Sequence, residues 1–309
     1  MEKIITLTLN PAIDKTTYTA KILPERKLRC THPTYEPGGG GINVSRALAH
    51  LGVSNEAMYL AGGYTGSFFQ QLIAQENINS IVIPIKGNTR TNIVVVEEST
   101  HLQYRFGMES PPVFEEEWKE CLEELEKLNG YEYIVASGSL PAGVPLDFFG
   151  RVAAIVKKRK AKLVIDTSGE ALQHAVTEGV FMIKPNLNEL SSLYGVDELK
   201  RDNVVEAARS VIAKGGCEAL VVSMGPEAAL LITQNENIRV VPPNVEVKST
   251  VGAGDSMVAG ILYALSKKWS WSDVLKYGVA CGTSATMNDA TGLCKKDQVE
   301  QIFNQLRKQ

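Results

Sequence analysis

The chain has 309 residues, a formal net charge of −3, 44% hydrophobic residues and 22% charged residues. This is the composition of a globule with ample core, and it argues against nucleic-acid or membrane partners. Five cysteines (Cys30, Cys121, Cys217, Cys281 and Cys294) without C-x-x-C spacing read as reduced thiols, neither a disulfide framework nor a zinc site.

The opening run, Met1 to Leu9, is too short and too β-branched for a signal peptide and reads as a buried first strand over 4–9. No apolar run reaches the roughly 18 residues of a membrane span, so a cytoplasmic protein is expected. Residues 14–35 and 88–106 alternate polar and apolar with no helix between them, like half-exposed antiparallel strands. They predict a small sheet, built from two distant pieces, that projects as a lid or an oligomer contact. Further strands are expected at 57–60, 81–84, 133–137, 162–166, 181–184, 219–223 and 228–233. Amphipathic helices are expected at 114–128, 146–158, 204–213 and 271–287. This alternation predicts an α/β fold: one domain, with a mostly parallel sheet covered by helices on both faces and the lid inserted.

Gly38, Gly39, Gly40 and Gly41 lead into a helix that carries Asn43. Four glycines cost much chain entropy, which suggests a close backbone approach to a ligand. The pattern is not G-x-G-x-x-G, because Asn43 falls where the third glycine would be. Backbone amides with the Asn43 amide suit a polyhydroxylated ligand, although a flexible turn before a helix would read the same way. No Gly-Lys dipeptide occurs, so the P-loop is absent.

Ser139 follows the 133–137 strand, and Ser223, Met224 and Gly225 end the 219–223 strand. Ligands gather at such carboxyl ends, so Ser139 is a candidate for substrate and the second group for a nucleotide. Asn186 and Glu189 open another helix on one face, where they could hold a hydrated Mg²⁺ or simply form a capping box. Gly252, Ala253, Gly254 and Asp255 run into an apolar, helix-compatible segment. A helix start there offers free amides to an anion, with Asp255 placed to take a proton from an attacking hydroxyl. A tight turn capped by Asp255 is the alternative. Lys27, Arg29, Arg90 and Arg105 fall in or beside the lid and suit a phosphorylated substrate.

In their order along the chain, Leu7 to Asp14, Gly38 to Asn43, Gly138-Ser139-Leu140-Pro141, Asn186-x-x-Glu189 and Thr250 to Asp255 resemble the motifs of the ribokinase-like (PfkB-type) carbohydrate kinases. The resemblance covers the whole chain and implies a three-layer αβα sandwich with a small β lid. It implies Asp255 as catalytic base, an anion hole at Gly252, Ala253 and Gly254, and Asn186 and Glu189 organising Mg²⁺ with ATP. By the same resemblance Lys184 and Ser223 to Gly225 lie along the nucleotide, with Ser249 nearby. Asp14, Gly39, Gly40, Gly41, Asn43, Arg90 and Ser139 would hold the sugar phosphate. A monovalent cation such as K⁺ would be bound near Ser249, Val251, Ala285, Asn288, Ala290 and Gly292. Fructose-1-phosphate and tagatose-6-phosphate kinases of the family usually carry Gly-Gly-Lys-Gly at the glycine run. Here Gly40 takes the lysine position, which resembles the minor-type ATP-dependent 6-phosphofructokinases and implies fructose 6-phosphate as acceptor. A homodimer joined through the lid is expected.

Overall fold

The computed structural model describes residues 3–289 and 291–308. Its strands are β1 Lys3–Thr8, β2 Ala12–Thr19, β3 Thr34–Gly38, β4 Asn55–Ala61, β5 Asn79–Pro84, β6 Arg90–Glu97, β7 Gln103–Phe106, β8 Tyr131–Ser137, β9 Lys162–Asp166, β10 Val180–Ile183, β11 Cys217–Ser223, β12 Ala229–Thr233 and β13 Asn237–Val240. Its helices are α1 Gly40–His50, α2 Gly63–Gln75, α3 Glu115–Lys127, α4 Phe148–Lys158, α5 Gly169–Glu178, α6 Leu187–Tyr194, α7 Val204–Ala213, α8 Ala253–Ser266, α9 Trp271–Thr286 and α10 Lys296–Arg307.

Nine strands form one sheet in the order β13-β12-β11-β10-β9-β8-β1-β4-β5, parallel except at the β11–β12 and β12–β13 pairs. Alternation along each strand feeds two cores. Ile5 and Leu7 of β1 join Ile134 and Ala136 of β8 in a core with side chains of α3 to α7. Ile4, Tyr133 and Val135 face the other way, against α1, α8, α9 and α10. Both faces are therefore dry, and the strands are apolar nearly throughout, as a doubly covered parallel sheet requires. The helices over 63–75, 169–178 and 296–307 are additions to the sequence reading, whereas 204–213 is found with the expected bounds.

The lid is the second sheet, in the order β3-β2-β6-β7. Its two outer pairs are antiparallel, but its central β2–β6 pair is parallel, which corrects the all-antiparallel expectation. The reason is topological. The chain returns to the body through α1, β4, α2 and β5 before it re-enters the lid at Arg90, so both central strands run outward. Parallel neighbours need such a crossover. The lid also begins earlier than expected, at Ala12, and β3 continues to Gly38.

Residues paired across strands share a face. Asp14 pairs with Asn92, and Thr16 with Val94, which pairs in turn with Arg105. The opposite face carries Ile93 with Phe106, Val95 with Tyr104, and Lys15 with Tyr35. At its base this opposite face is anchored by Ile13, buried with Ile42, Tyr59 and Phe69. Farther out, Phe106, Tyr104 and Tyr35 are exposed.

A buried cation ties the lid base to the body. Arg46 of α1 is 4% exposed, contacts Glu36 of β3 at 3.0 Å and Glu76 at 2.8 Å, and donates to the Pro37 carbonyl at 3.2 Å. Thr291 donates to the second Glu36 oxygen.

Candidate active site

The strand order reverses between β1 and β8. Chain succession moves outward from β1 through β4 to β5, and from β8 through β9 and β10 to β11 on the other side. Such a switch point opens a crevice beyond the strand carboxyl ends. Asn10 follows β1, Ser139 follows β8, and the Asn10 amide donates to Ser139 Oγ at 3.1 Å across that crevice.

The glycine run fills the crevice floor. A Cβ on Gly40 would lie 2.3 Å from Ser137 Oγ and 2.8 Å from the Gly138 nitrogen. One on Gly41 would lie 2.4 Å from Thr8 Oγ1, and one on Gly38 would lie 2.1 Å from Asp14 Oδ2. Gly39, with φ 112, is where α1 is capped. The close approach read from the sequence is thus first an approach of α1 to the ends of β1 and β8. Even alanine at Gly40 is too large, which is stricter than crowding of a sugar alone would make it.

This wedge delivers Asn43 to α8. Asn43 Nδ2 donates to Asp255 Oδ2 at 2.9 Å across 212 residues of sequence. Gly252, in the left-handed region at φ 72, is the N-cap of α8, and Asp255 lies at its third helical position. Asp255 is therefore not the cap. The Ala253 amide bonds back to the Thr250 carbonyl at 3.4 Å and the Ser256 amide to the Gly252 carbonyl at 2.8 Å. Helix geometry leaves the Gly254 and Asp255 amides aimed outward without an intrahelical acceptor.

Asp255 is half-buried at the helix start, and burial lifts its pKa to about 7, helped by the charge of Asp166. The Asn43 hydrogen bond and Lys184 act in the opposite direction. A carboxyl poised near neutrality is suited to general-base work. Lys184 is buried, and its ammonium lies 3.2 Å from Asp166 Oδ1. Burial disfavours its charge, but Asp166, with Asp255 and Glu189 adding, raises its pKa, so it stays cationic. A Cβ on Gly254 would lie 3.4 Å from Lys184 Nζ, so this cation flanks the helix start.

Asn186 and Glu189 form a complete capping box on α6: Asn186 Oδ1 accepts from the Glu189 amide at 2.9 Å, and Glu189 Oε2 from the Asn186 amide at 2.8 Å. Asn186 also bridges to Ser223, which joins the ends of β10 and β11. Burial raises the Glu189 pKa, with the Asp166 charge adding to it against the Asn186 hydrogen bond and Lys184. Met224 and Gly225 form the turn into β12, with Gly225 at φ 60. Ser249 and the preceding Lys248 donate backbone hydrogen bonds to the Thr286 carbonyl at 3.3 and 2.8 Å, so the loop before α8 lies on the end of α9. Val251 donates to Ser249 Oγ, and Asn288 donates its backbone amide to the Ala285 carbonyl. Gly292 packs on Asn288. Ala290 lies outside the described residues.

At the base of the lid, Arg90 donates to the Asn10 carbonyl at 3.2 Å and to the Met108 carbonyl at 3.3 Å. Its Nε is buried with no hydrogen-bond partner among the described residues. Arg105 shares the lid face of Asp14 but is exposed on edge strand β7, bonded to Gln103. Lys27 and Arg29 are exposed in the loop beyond Thr19, which pairs with Cys30 at the far end of β2. Five strand residues separate Thr19 from Asp14, about 17 Å. Within one chain the structure therefore does not bring Lys27 and Arg29 to Asp14.

The pfkB family carbohydrate kinase model matches residues 7–298, nearly the whole chain. The chain belongs to the pfkB family of carbohydrate kinases. Among its relatives, the ATP-dependent 6-phosphofructokinase isozyme 2 of Escherichia coli strain K12 is 41% identical over 304 residues, covering 98% of each chain. The crystal structure of phosphofructokinase-2 from Escherichia coli in complex with fructose-6-phosphate matches with a TM-score of 0.94 and 40% identity, over 99% of this chain and 100% of that one. The same enzyme in complex with potassium gives a TM-score of 0.95 and 42% identity, with the same coverage.

The structure adds residues that the sequence reading did not single out. Asp166 ends β9 beside Lys184, and the rule that ligands gather at strand carboxyl ends could have flagged it. Asn10 lies within the Leu7 to Asp14 motif without having been named, whereas Asn92 carries no comparable sequence signal, because its bond to Asp14 depends on pairing across the lid.

Proposed function

We propose that the chain transfers the γ-phosphoryl group of ATP to the 1-hydroxyl of fructose 6-phosphate, giving fructose 1,6-bisphosphate and ADP. The observation that carries this reading is Asp255: a carboxyl held near pKa 7 at the third position of a helix whose Gly254 and Asp255 amides have no intrahelical acceptor. Asp255 takes the proton of the attacking hydroxyl. The helix start from Gly252 to Asp255, chiefly through the Gly254 and Asp255 amides, receives the charge that develops on the migrating phosphoryl, with Lys184 beside it. Asp14, Gly39, Asn43 and Ser139 surround the sugar, and the Arg90 guanidinium meets the 6-phosphate. The test is a panel of ketohexose phosphates with Mg-ATP. Fructose 6-phosphate is expected to lead in kcat/KM by roughly tenfold or more over fructose 1-phosphate and tagatose 6-phosphate. A preference for fructose 1-phosphate overturns the assignment.

Glu189 and Asn186, with Asp166 nearby, suit a Mg²⁺ that keeps much of its water. Burial and the Asp166 charge raise the Glu189 pKa, and the oxygen donors are hard. When bound, the ion would neutralise phosphate charge. Glu189→Gln is expected to raise the Mg²⁺ concentration giving half-maximal rate by several-fold. An unchanged Mg²⁺ titration would leave Glu189 as a helix cap and nothing more. Ser249, Val251, Ala285, Asn288 and Gly292 surround one loop junction, which suits a monovalent cation such as K⁺ held by backbone carbonyls.

The exposed lid face of Ile93, Val95, Tyr104, Phe106 and Tyr35 supports a homodimer formed lid to lid about a two-fold axis. Monomers rarely expose such a patch, and the contact would cover the lid edges. Such a dimer also gives Lys27 and Arg29 a role, because a lid tip remote from its own site can approach the partner's. Phe106→Asp is expected to sediment as a monomer and to lose activity with the dimer. A fully active monomer refutes the shared lid.

A further inference from the structure

We infer that Asn92 is a positioning residue for the acceptor sugar: through its side-chain amide it fixes the Asp14 carboxylate and the loop beyond β7 in one geometry, without itself touching substrate. The inference rests on the sugar-site reading of Asp14 given above.

Asn92 lies directly opposite Asp14 in the parallel β2–β6 register. Its Nδ2 donates to Asp14 Oδ1 at 2.9 Å. Its Oδ1 accepts from the Met108 amide at 3.2 Å and lies 3.5 Å from Arg90 Nη1. These contacts settle the amide orientation, since a flip would set two acceptors against each other at Asp14 and two donors at Met108. Asp14 is thereby held by one oxygen, with its other oxygen against Gly38 at the mouth of the crevice. The same amide fixes the segment whose Met108 carbonyl holds Arg90.

The charged groups around Asp14 are Arg90 from β6, Glu36 from β3 and Arg46 from α1. Burial pushes the Asp14 carboxyl upward, and the Asn92 hydrogen bond, with the charge of Arg90, pulls it back. Asn92 thus supplies the donor that keeps a buried carboxylate ionised and aimed. Aspartate is the informative replacement. Protonated, the new carboxyl can still donate to Asp14. Ionised, it sets two carboxylates against each other and must displace one of them.

The test is the pH dependence of KM for fructose 6-phosphate in Asn92→Asp beside the unaltered enzyme. The variant is expected to approach the parent KM near pH 6 and to rise about tenfold or more above it by pH 8.5, as loss of a hydrogen bond to a charged group implies. KM for ATP should hold steady across the same range, and kcat should change far less than KM. A KM equal to the parent at every pH, or raised by one constant factor, overturns the inference. If Asn92→Asp does not fold, Asn92→Ser carries the test: a raised KM for fructose 6-phosphate with an unchanged KM for ATP supports the role, and equal changes in both overturn it. Turnover of fructose 6-phosphate by the parent enzyme separates these outcomes from failure of the substrate assignment itself.

Discussion

Asp255→Asn is expected to lower kcat by about two to four orders of magnitude while both substrates still bind, because removal of a general base costs that much. The amide is isosteric and can still accept from Asn43, so the helix start and anion hole should survive. Its pH signature follows from the cause of the raised pKa. With the carboxyl titrating at about 7, the base is protonated below that pH, so kcat/KM of the parent should fall on the acid side of neutrality. The same shift has a cost in stability. In the unfolded chain the group titrates near its ordinary value of 3.8, so the folded protein loses stability as pH rises from there through about 7. Asparagine never ionises. The variant should therefore melt several degrees above the parent at pH 8 and match it at about pH 4, near the foot of that range. Near-normal kcat in a folded variant would remove Asp255 from the chemistry. A lower melting temperature at pH 8 would show instead that the carboxylate is stabilised where it lies.

Much of this site was legible because its chemistry is written in contiguous residues at strand and helix ends. Gly252 to Asp255, Gly38 to Asn43, and Asn186 with Glu189 each announce a helix start, and the structure places a helix at each. The αβ alternation was legible for the same reason, since continuously apolar strands such as Leu163-Val164-Ile165 leave little choice but a covered parallel sheet. What stayed hidden depends on pairing between distant segments. The parallel register of β2 with β6 brings Asn92 to Asp14, and period-2 alternation says nothing of strand direction. Asp166 becomes part of the site through Lys184, which arrives from the next strand. Lys27 and Arg29 lie in the lid segment, but strand length carries them to its far tip, away from Asp14 of the same chain.

Gly40→Ala tests the glycine wedge and is expected to lower kcat/KM by about one to two orders of magnitude, the scale at which an ångström of misplacement is felt. The added Cβ would meet Ser137 Oγ at 2.3 Å, the Gly138 nitrogen at 2.8 Å and the Ser137 carbonyl carbon at 2.9 Å. The hydroxyl can rotate away, but the two backbone atoms end a strand paired on both sides, with β1 and β9. Helix α1 must therefore give way, and it is the element that carries Asn43 to Asp255 and Arg46 to Glu36. Overpacking of this kind costs about 1–3 kcal/mol, so the melting temperature should also fall by several degrees. Gly107→Ala is the matched control, because a Cβ there meets nothing within 4 Å and its φ is not positive. Lysine at position 40, as in the Gly-Gly-Lys-Gly relatives, would need the same displacement before its ammonium could reach any phosphate. A Gly40→Ala enzyme with parental kcat/KM and melting temperature would show that the wedge is looser than its geometry implies.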